Sequence, residues 1–389
     1  MRDCILMHCQ HGVGIGHLVR SFAIAEQLSR FARVVVLCGG EVPDSIRLPD
    51  SVEVVLLPAL RMGSEGELYA SQGADLSTTL DRRRDVVLGA LRELRPSAVV
   101  VELFPFGRKK IRGELVPLLE EAGAQQPSAF RVCSVRDFLV TARRDQRAHD
   151  DRACSWANRL IDLILVHADP SVARLEETFR PTIALETRVQ YTGFVTRPAP
   201  RRAVRQLRIL VSAGGGVVGE PLLAAALEAQ PELWRKRGLR MRLIAGPFLP
   251  DAGFKRLRRA VRSVPAVELV RSVPDLGAEM CAAAASLSQC GYNTTLDLLR
   301  TDTPALVVPY STPSEDEQLR RARRLQRLGL LHLLEPDRLD PRALSAALEA
   351  LLDVPVSTPR VDLDGARCTA RIIIANAVGE QAAVGAVQA

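Results

Sequence analysis

A histidine and several carboxylates set beside glycine-rich turns are the residues of this sequence best suited to chemistry. The run HGVGIGHLVRS begins at His11, and its Gly12, Gly14 and Gly16 let a backbone turn tightly and approach a ligand. His17 comes next, at the start of an expected helix, where free N–H groups and the positive end of the helix dipole favour an anion. A neutral imidazole there can take a proton from an acceptor hydroxyl. The structural alternative is a histidine that caps the helix or bonds loop backbone. Glu102, ending an apolar run, is a second candidate base; its alternative is an ion-pair partner for Arg108. His8, Cys9 and His11 resemble a metal cluster only on paper, because strand alternation sends His8 and Cys9 to opposite faces.

The second half carries three further turns. SAGGGVVG places Gly214, Gly215 and Gly216 after Ser212, a loop friendly to phosphate with a hydroxyl at its edge. SQCGYNTTLDLL reads as strand, glycine turn and helix, with Gly291, Tyr292, Asn293 and Thr294 at the turn and Asp297 one helical turn on, where it can accept from ribose hydroxyls. In VVPYSTPSEDEQL a helix starts at the acidic cluster Glu315, Asp316 and Glu317; acids suit a helix start, which covers Glu315 and Asp316, but Gln318 asks for another role. A nominal D-x-D at Asp362 and Asp364 precedes a last helix, where aspartate is an ordinary cap, so no metal is expected. A nicotinamide cofactor is disfavoured because LCGG, after the second strand, offers no acid before Glu41. In FPFGRKKIRGEL, two Phe and the cations from Arg108 to Arg112 suit either an acidic acceptor or headgroup, or a packed turn with a solvated basic face.

The elements that must position these residues alternate. Apolar runs at 4–9, 33–37, 52–57, 98–103, 131–135 and 163–167 read as strands, with helices at 18–31, 79–94 and 112–121 between them. The Pro- and Arg-rich stretch RPAPRRAVR reads as a linker. The alternation then restarts, with strands at 208–211, 241–245, 267–270, 286–289 and 305–309 and helices at 221–229, 275–284, 294–300 and 315–328. Continuous apolar strands indicate parallel sheets covered on both faces. The expected fold is α/β with two Rossmann-like, doubly wound domains: 1–197, a linker at 198–205, 206–370, and a terminal helix and tail at 371–389.

Composition agrees with a globular chain: 389 residues, 47% hydrophobic, 25% charged, net charge +7. Aromatics at 4% leave few base-stacking surfaces, so nucleic acid is not an expected partner. No apolar run reaches the roughly 18 residues needed to span a bilayer, and polar residues break the first apolar stretch, so a cytoplasmic protein is expected, with peripheral contact to an anionic membrane left open. Eight irregularly spaced cysteines suggest buried small hydrophobes rather than disulfides.

Taken in order, G-x-G-H, G-G-G, G-Y-N-T-x-x-D and the late D-E-Q helix resemble the GT-B glycosyltransferases, closest to the group that adds N-acetylglucosamine to the peptidoglycan lipid intermediate. A little-characterised branch of predicted glycosyltransferases looks nearer still. It shares FPFGR, the pair Arg136–Asp137, GYNT, and EDEQ followed by Arg321 and Ala322. The resemblance implies two domains facing a cleft, with the donor on the C-terminal half. Ser212 and Gly214 to Gly216 would hold phosphate, and the backbone of Arg271, Ser272 and Val273 would face the base. Gly291, Tyr292, Asn293 and Thr294 would follow the pyrophosphate, Asp297 the ribose, and Glu317 and Gln318 the sugar. The acceptor side would gather Gly14, Gly16, His17, Glu102, Arg108, Arg136 and Asp137. The implied reaction moves a sugar from a UDP-sugar such as UDP-N-acetylglucosamine to a small-molecule or lipid-linked acceptor, with inversion and without metal or other cofactor. The sequence departs from that group at Asp297, where it has Glu, and at Glu317, where it has a second Gln. GHLVRS also resembles a nucleotide-sugar hydrolase of the same fold that uses the equivalent histidine with water, and a nucleotide-sugar epimerase is a third alternative.

Overall fold

A computed structural model describes residues 3–10, 16–40, 42, 48–62, 67–141, 143–197, 199–201, 203–312, 315–353 and 361–378. Two compact units result, Met1–Thr196 together with the chain from Asp362 onward, and Arg197–Val361.

The first unit is built on seven strands: β1 Cys4–Cys9, β2 Arg33–Cys38, β3 Glu53–Leu56, β6 Ala98–Glu102, β7 Phe130–Arg136, β8 Leu163–His167 and β9 Arg188–Tyr191. They form one sheet in the order β3-β2-β1-β6-β7-β8-β9, every neighbour parallel. A small antiparallel hairpin, β4 Leu60–Met62 with β5 Leu68–Ala70, lies outside it. The helices are α1 Gly16–Leu28, α2 Leu76–Leu94, α3 Arg112–Ala124, α4 Gln146–Leu160 and α5 Leu175–Thr178. Every residue of β1 is buried. Ile5, Met7 and Cys9 join a core with Leu18, Phe22 and Ile24 of α1, whereas His8 on the other face reaches Glu114 of α3. Residues 362–370, grouped in the sequence reading with the second half, lie with the first. Phe194 N donates to Asp362 O at 2.7 Å, and α12, Gly365–Ala377, buries Ile373 and Ile374 in the core against α1. That apolar face has more to gain from burial than from staying with a chain segment it does not touch.

The second unit repeats the plan: β10 Gln206–Ser212, α6 Glu220–Arg237, β11 Arg240–Ile244, α7 Asp251–Val261, β12 Val267–Val270, α8 Leu276–Cys281, β13 Ala283–Ser288, α9 Tyr292–Thr301, β14 Ala305–Val307, α10 Glu317–Arg327, β15 His332–Leu333 and α11 Pro341–Asp353. The strands lie in the order β12-β11-β10-β13-β14-β15, again parallel throughout. The helix expected over 275–284 ends at Cys281, and the alanines after it enter β13. Alanine favours helix, but a segment buried between β10 and β14 gains a ladder on both sides, and tertiary pairing overrides propensity. All eight cysteines are free, and all but Cys368 are buried.

Candidate active site

In the first sheet the order reverses between β1 and β6, and open α/β sheets bind ligands outside the carboxyl ends of strands at such a switch point. The chain leaving β1 enters α1 with His17 in its first turn, and β6 ends at Glu102. There His17 Nδ1 lies 2.5 Å from Glu102 Oε1. Helical spacing puts Arg20 on the same face as His17; one of its terminal nitrogens donates to Glu102 Oε1 at 2.8 Å and stands 3.3 Å from His17 Nδ1. After β6 the backbone turns through left-handed conformations at Leu103 and Arg108, which carries Arg108 back to the carboxylate. Its Nε and a terminal nitrogen both donate to Glu102 Oε2, at 3.0 and 2.7 Å. Phe104, stacked on Trp156 at 5.5 Å, and Phe106, edge-on to Phe179 at 4.8 Å, are buried and anchor this turn. FPFGR is thus a packed turn that aims one arginine.

Glu102 is 2% exposed while His17 keeps 23%. Burial pushes the Glu102 carboxyl upward, but His17, Arg108 and Arg20 together outweigh it and hold the group well below the usual carboxylate range. Burial lowers His17, Glu102 opposes that, and Arg20 and Arg108 lower it further, so the imidazole sits below its ordinary value. An ionised carboxylate can only accept, so Nδ1 carries the proton and Nε2 keeps the lone pair. The set therefore presents a neutral, oriented imidazole. Glu102 is committed to three partners and is better placed to orient His17 than to take a proton itself.

Beside this set lies a cavity of about 150 Å³ whose wall includes Arg61, Arg108, Lys109 and Lys110 with Leu60 and Ile111. Deeper, Arg83 is fully buried. It grips Glu114 at 2.6 and 2.9 Å, donates to Gln10 Oε1 at 2.9 Å and to the carbonyls of Gly39 and Pro58, while His8 Nε2 meets Glu114 at 2.9 Å. This network fixes the chain ends after β1 and β2. Arg136 and the buried Asp137 stand at and just past the carboxyl end of β7, next to β6, and Gly16 opens α1; Gly14 lies outside the described residues.

The second sheet has its switch point between β10 and β13. β10 ends at the buried Ser212, whose Oγ accepts from Gly214 N at 3.4 Å. A Cβ added to Gly214 would stand 3.8 Å from Thr294 Oγ1, so the glycine loop and the start of α9 meet, as their motifs suggested. Gly216 (φ 94°) and Gly246 (φ 93°) close on each other; a Cβ on Gly216 would meet Ala245 O at 2.5 Å. Both α9 and α6 start from a glycine, Gly291 and Gly219, which has no side chain to cap the first turn. Tyr292 and Thr294 are buried, and Asn293 is exposed. Gln318 Oε1 accepts from Cys290 N at 3.1 Å and Tyr310 N at 3.2 Å, tying two loops together. Its neighbour Glu317 pairs with Arg321, which also donates to Cys290 O at 2.8 Å and stands over the Tyr292 ring. Asp297 accepts from Arg300 at 2.8 Å; burial raises its carboxyl against that pull. The Arg271 side chain is spent on Leu249 O and Asp251, whereas Ser272 is exposed and Val273 half-buried. Among the described residues, no group of three or more His, Cys, Asp or Glu is arranged to hold a metal ion; Asp362 and Asp364 serve the turn into α12.

Residues 210–358 match the glycosyltransferase family 28 C-terminal domain. The UDP-N-acetylglucosamine–N-acetylmuramyl-(pentapeptide) pyrophosphoryl-undecaprenol N-acetylglucosamine transferase of Methylobacterium radiotolerans is 27% identical over 360 residues, 90% of this chain and 89% of its own. The enzyme of the same name from Erythrobacter litoralis is 23% identical over 346 residues, 86% of this chain and 79% of its own. Among solved structures, MurG of Acinetobacter baumannii aligns over 95% of both chains (TM-score 0.57, 14% identity), and the calicheamicin glycosyltransferase CalG4 over all of both (TM-score 0.58, 20% identity). The chain is a GT-B glycosyltransferase.

In this glycosyltransferase the family 28 match takes in the glycine loop, Gly291 to Asp297, Glu317 and Gln318. Sequence reasoning missed Arg20, though its spacing from His17 was a usable signal. It also missed the network of Arg83, Glu114 and Gln10, whose members lie too far apart in the chain for any local pattern to join them. Among the described residues, no helix is long and apolar enough to cross a membrane.

Proposed function

We propose that this enzyme transfers a sugar from a UDP-sugar, an N-acetylhexosamine in the first instance, to a hydroxyl acceptor, with His17 as general base and Glu102 as the group that orients it. The observation carrying this reading is the pairing of a partly exposed imidazole with a buried, cation-held carboxylate at the carboxyl end of the first sheet's switch point. The curated relatives named above, which by name use UDP-N-acetylglucosamine and a pyrophosphoryl-undecaprenol acceptor, support the donor class and suggest a lipid-linked acceptor.

In this mechanism the amides of Gly214, Gly215 and Gly216 and the first turn of α9 bind the diphosphate, with Ser212 and Thr294 at its edge. Fixed N–H groups stabilise the charge that develops on the departing nucleotide, so no divalent cation is required. The Ser272 and Val273 backbone faces the base, and Asp297 lies toward the ribose. Gln318 acts by shaping the loops at Cys290 and Tyr310 that surround the sugar. His17 Nε2 removes the acceptor's proton as its oxygen attacks the anomeric carbon, and inversion follows from a single displacement.

Incubating the protein with UDP-N-acetylglucosamine and related donors, with and without acceptor lipid extracts, tests this. Acceptor-dependent loss of donor that falls at least about 100-fold in H17A, while donor affinity by calorimetry stays near the parent's, is the expected result. Free sugar released at the same rate without acceptor would show a hydrolase instead. H17A turnover within a few fold of the parent would remove His17 from the reaction.

A further inference from the structure

The two oxygens of Glu102 are not equivalent. Oε1 faces His17 and Arg20, whereas among the described residues Oε2 is held by Arg108, through two of its nitrogens. Resting on the assignment of His17 as base, we propose that Arg108 is a positioning residue: it locks the Glu102 carboxylate in the rotamer that orients His17 and shares its charge, so that the imidazole remains free to accept a proton.

Three observations converge on this role. The arginine is delivered by a turn anchored on two buried rings, with Gly107 N donating to Leu103 O at 2.8 Å, so its reach is fixed before any ligand arrives. Both Nε and a terminal nitrogen of Arg108 grip Oε2 while His17 and Arg20 hold Oε1, so the carboxylate is fixed at both of its oxygens. Finally, a buried carboxylate facing only a histidine would hold a protonated imidazole and so disable a base; two guanidiniums around it remove that tendency. The Cys9 thiol beside His17 does not alter the balance. Cys9 on β1 donates its thiol toward His17 O at 3.8 Å, and burial pushes that thiol up to about 12, so it stays neutral.

The test uses the full-length protein and the variants R108M and R108K, read by histidine side-chain NMR titration, with the His17 signal identified from its loss in H17N, and by the pH dependence of kcat/KM. Arg108 is 13% exposed at its side chain, and R108K keeps the charge should R108M fold poorly. In R108M the His17 titration should move to higher pH, the acid limb of the rate profile should move with it, and kcat should fall about 10- to 100-fold with donor KM changed less than about threefold. R108K should return the titration toward the parent's while recovering only part of kcat. A His17 titration unmoved in R108M, or in R108K if R108M is not folded, overturns the proposal. A titration that moves while the acid limb does not would uphold the charge sharing and refute His17 as the base.

Discussion

Replacing Glu102 with glutamine puts the orienting dyad to its most direct test. The carboxylate accepts from His17, Arg20 and Arg108 at 2.5 to 3.0 Å and is 2% exposed, so E102Q keeps the shape and deletes the one charge around which three donors are arranged. Two effects follow, and they must be separated. Leaving two guanidiniums without their counter-charge costs about 3–5 kcal/mol where one partner of a buried pair is lost, set against a total stability of about 5–15 kcal/mol for a domain. A clear fall in melting temperature is therefore expected, short of complete unfolding. The second effect is chemical. The amide can turn its NH2 toward Nδ1, which shifts the ring proton to Nε2 and occupies the position that must accept the acceptor's proton. Where a comparable orienting carboxylate is exchanged for its amide in a serine protease, turnover drops about 10⁴-fold; about 10³-fold or more is expected here, equivalent to about 4 kcal/mol of barrier. Donor consumption should be assayed well below the variant's melting temperature, with circular dichroism confirming a folded protein and calorimetry confirming donor binding. If folded E102Q keeps turnover within about tenfold of the parent across pH, the imidazole does not depend on this carboxylate, and the reasoning fails.

Other outcomes follow from the same geometry. G216A puts a Cβ 2.5 Å from Ala245 O at a φ of 94°, so it should lower thermal stability by about 1–3 kcal/mol and weaken donor binding at least about tenfold, read by calorimetry. Q318A removes the acceptor shared by Cys290 N and Tyr310 N; donor KM should rise about tenfold with folding retained. For the buried network, burial works to raise the Glu114 carboxyl, but His8 and Arg83 prevail and bring it from 4.5 to about 2. A depressed carboxyl contributes its stability above its unfolded value and loses it as pH falls through its folded one. Unfolding free energy should therefore decline from about pH 4.5 toward about pH 2, with a shallower slope in E114Q. Exhaustive chelation with EDTA should leave turnover unchanged if fixed N–H groups alone carry the leaving diphosphate.

The fold was legible because parallel strands covered on both faces must be apolar along their whole length. β1 and β8 coincide residue for residue with the runs at 4–9 and 163–167. What escaped lacked that signal. α4 carries acids, bases and small residues around a narrow buried stripe of Ala153, Cys154 and Ala157, and β9, at the sheet's edge, has no fully buried residue. The terminal helix was recognised, but its destination was not, since a buried isoleucine pair does not say which core it enters.

For the site, residue types were readable and roles were not, because a role here depends on what a side chain already holds. His17 and Glu102 were both candidate bases when each was considered alone. A separation of 85 positions is closed by parallel strand register between β1 and β6, and only then does one become the partner of the other. Gln318 repeats the lesson: a sequence motif suggests contact with sugar, yet its carbonyl oxygen is already spent on two loop amides, leaving its Nε2 as the group still able to address a hydroxyl. Asp297 does the same in reverse, since burial beside Arg300 ties up the carboxylate that the motif offered to a ribose. A ligand must therefore compete with Arg300 for that carboxylate, whereas α9 begins at a glycine that has no side chain to obstruct an approach to its first turn. On the proposed reading, the diphosphate, more than the ribose, is then the part of the donor that this unit is prearranged to receive.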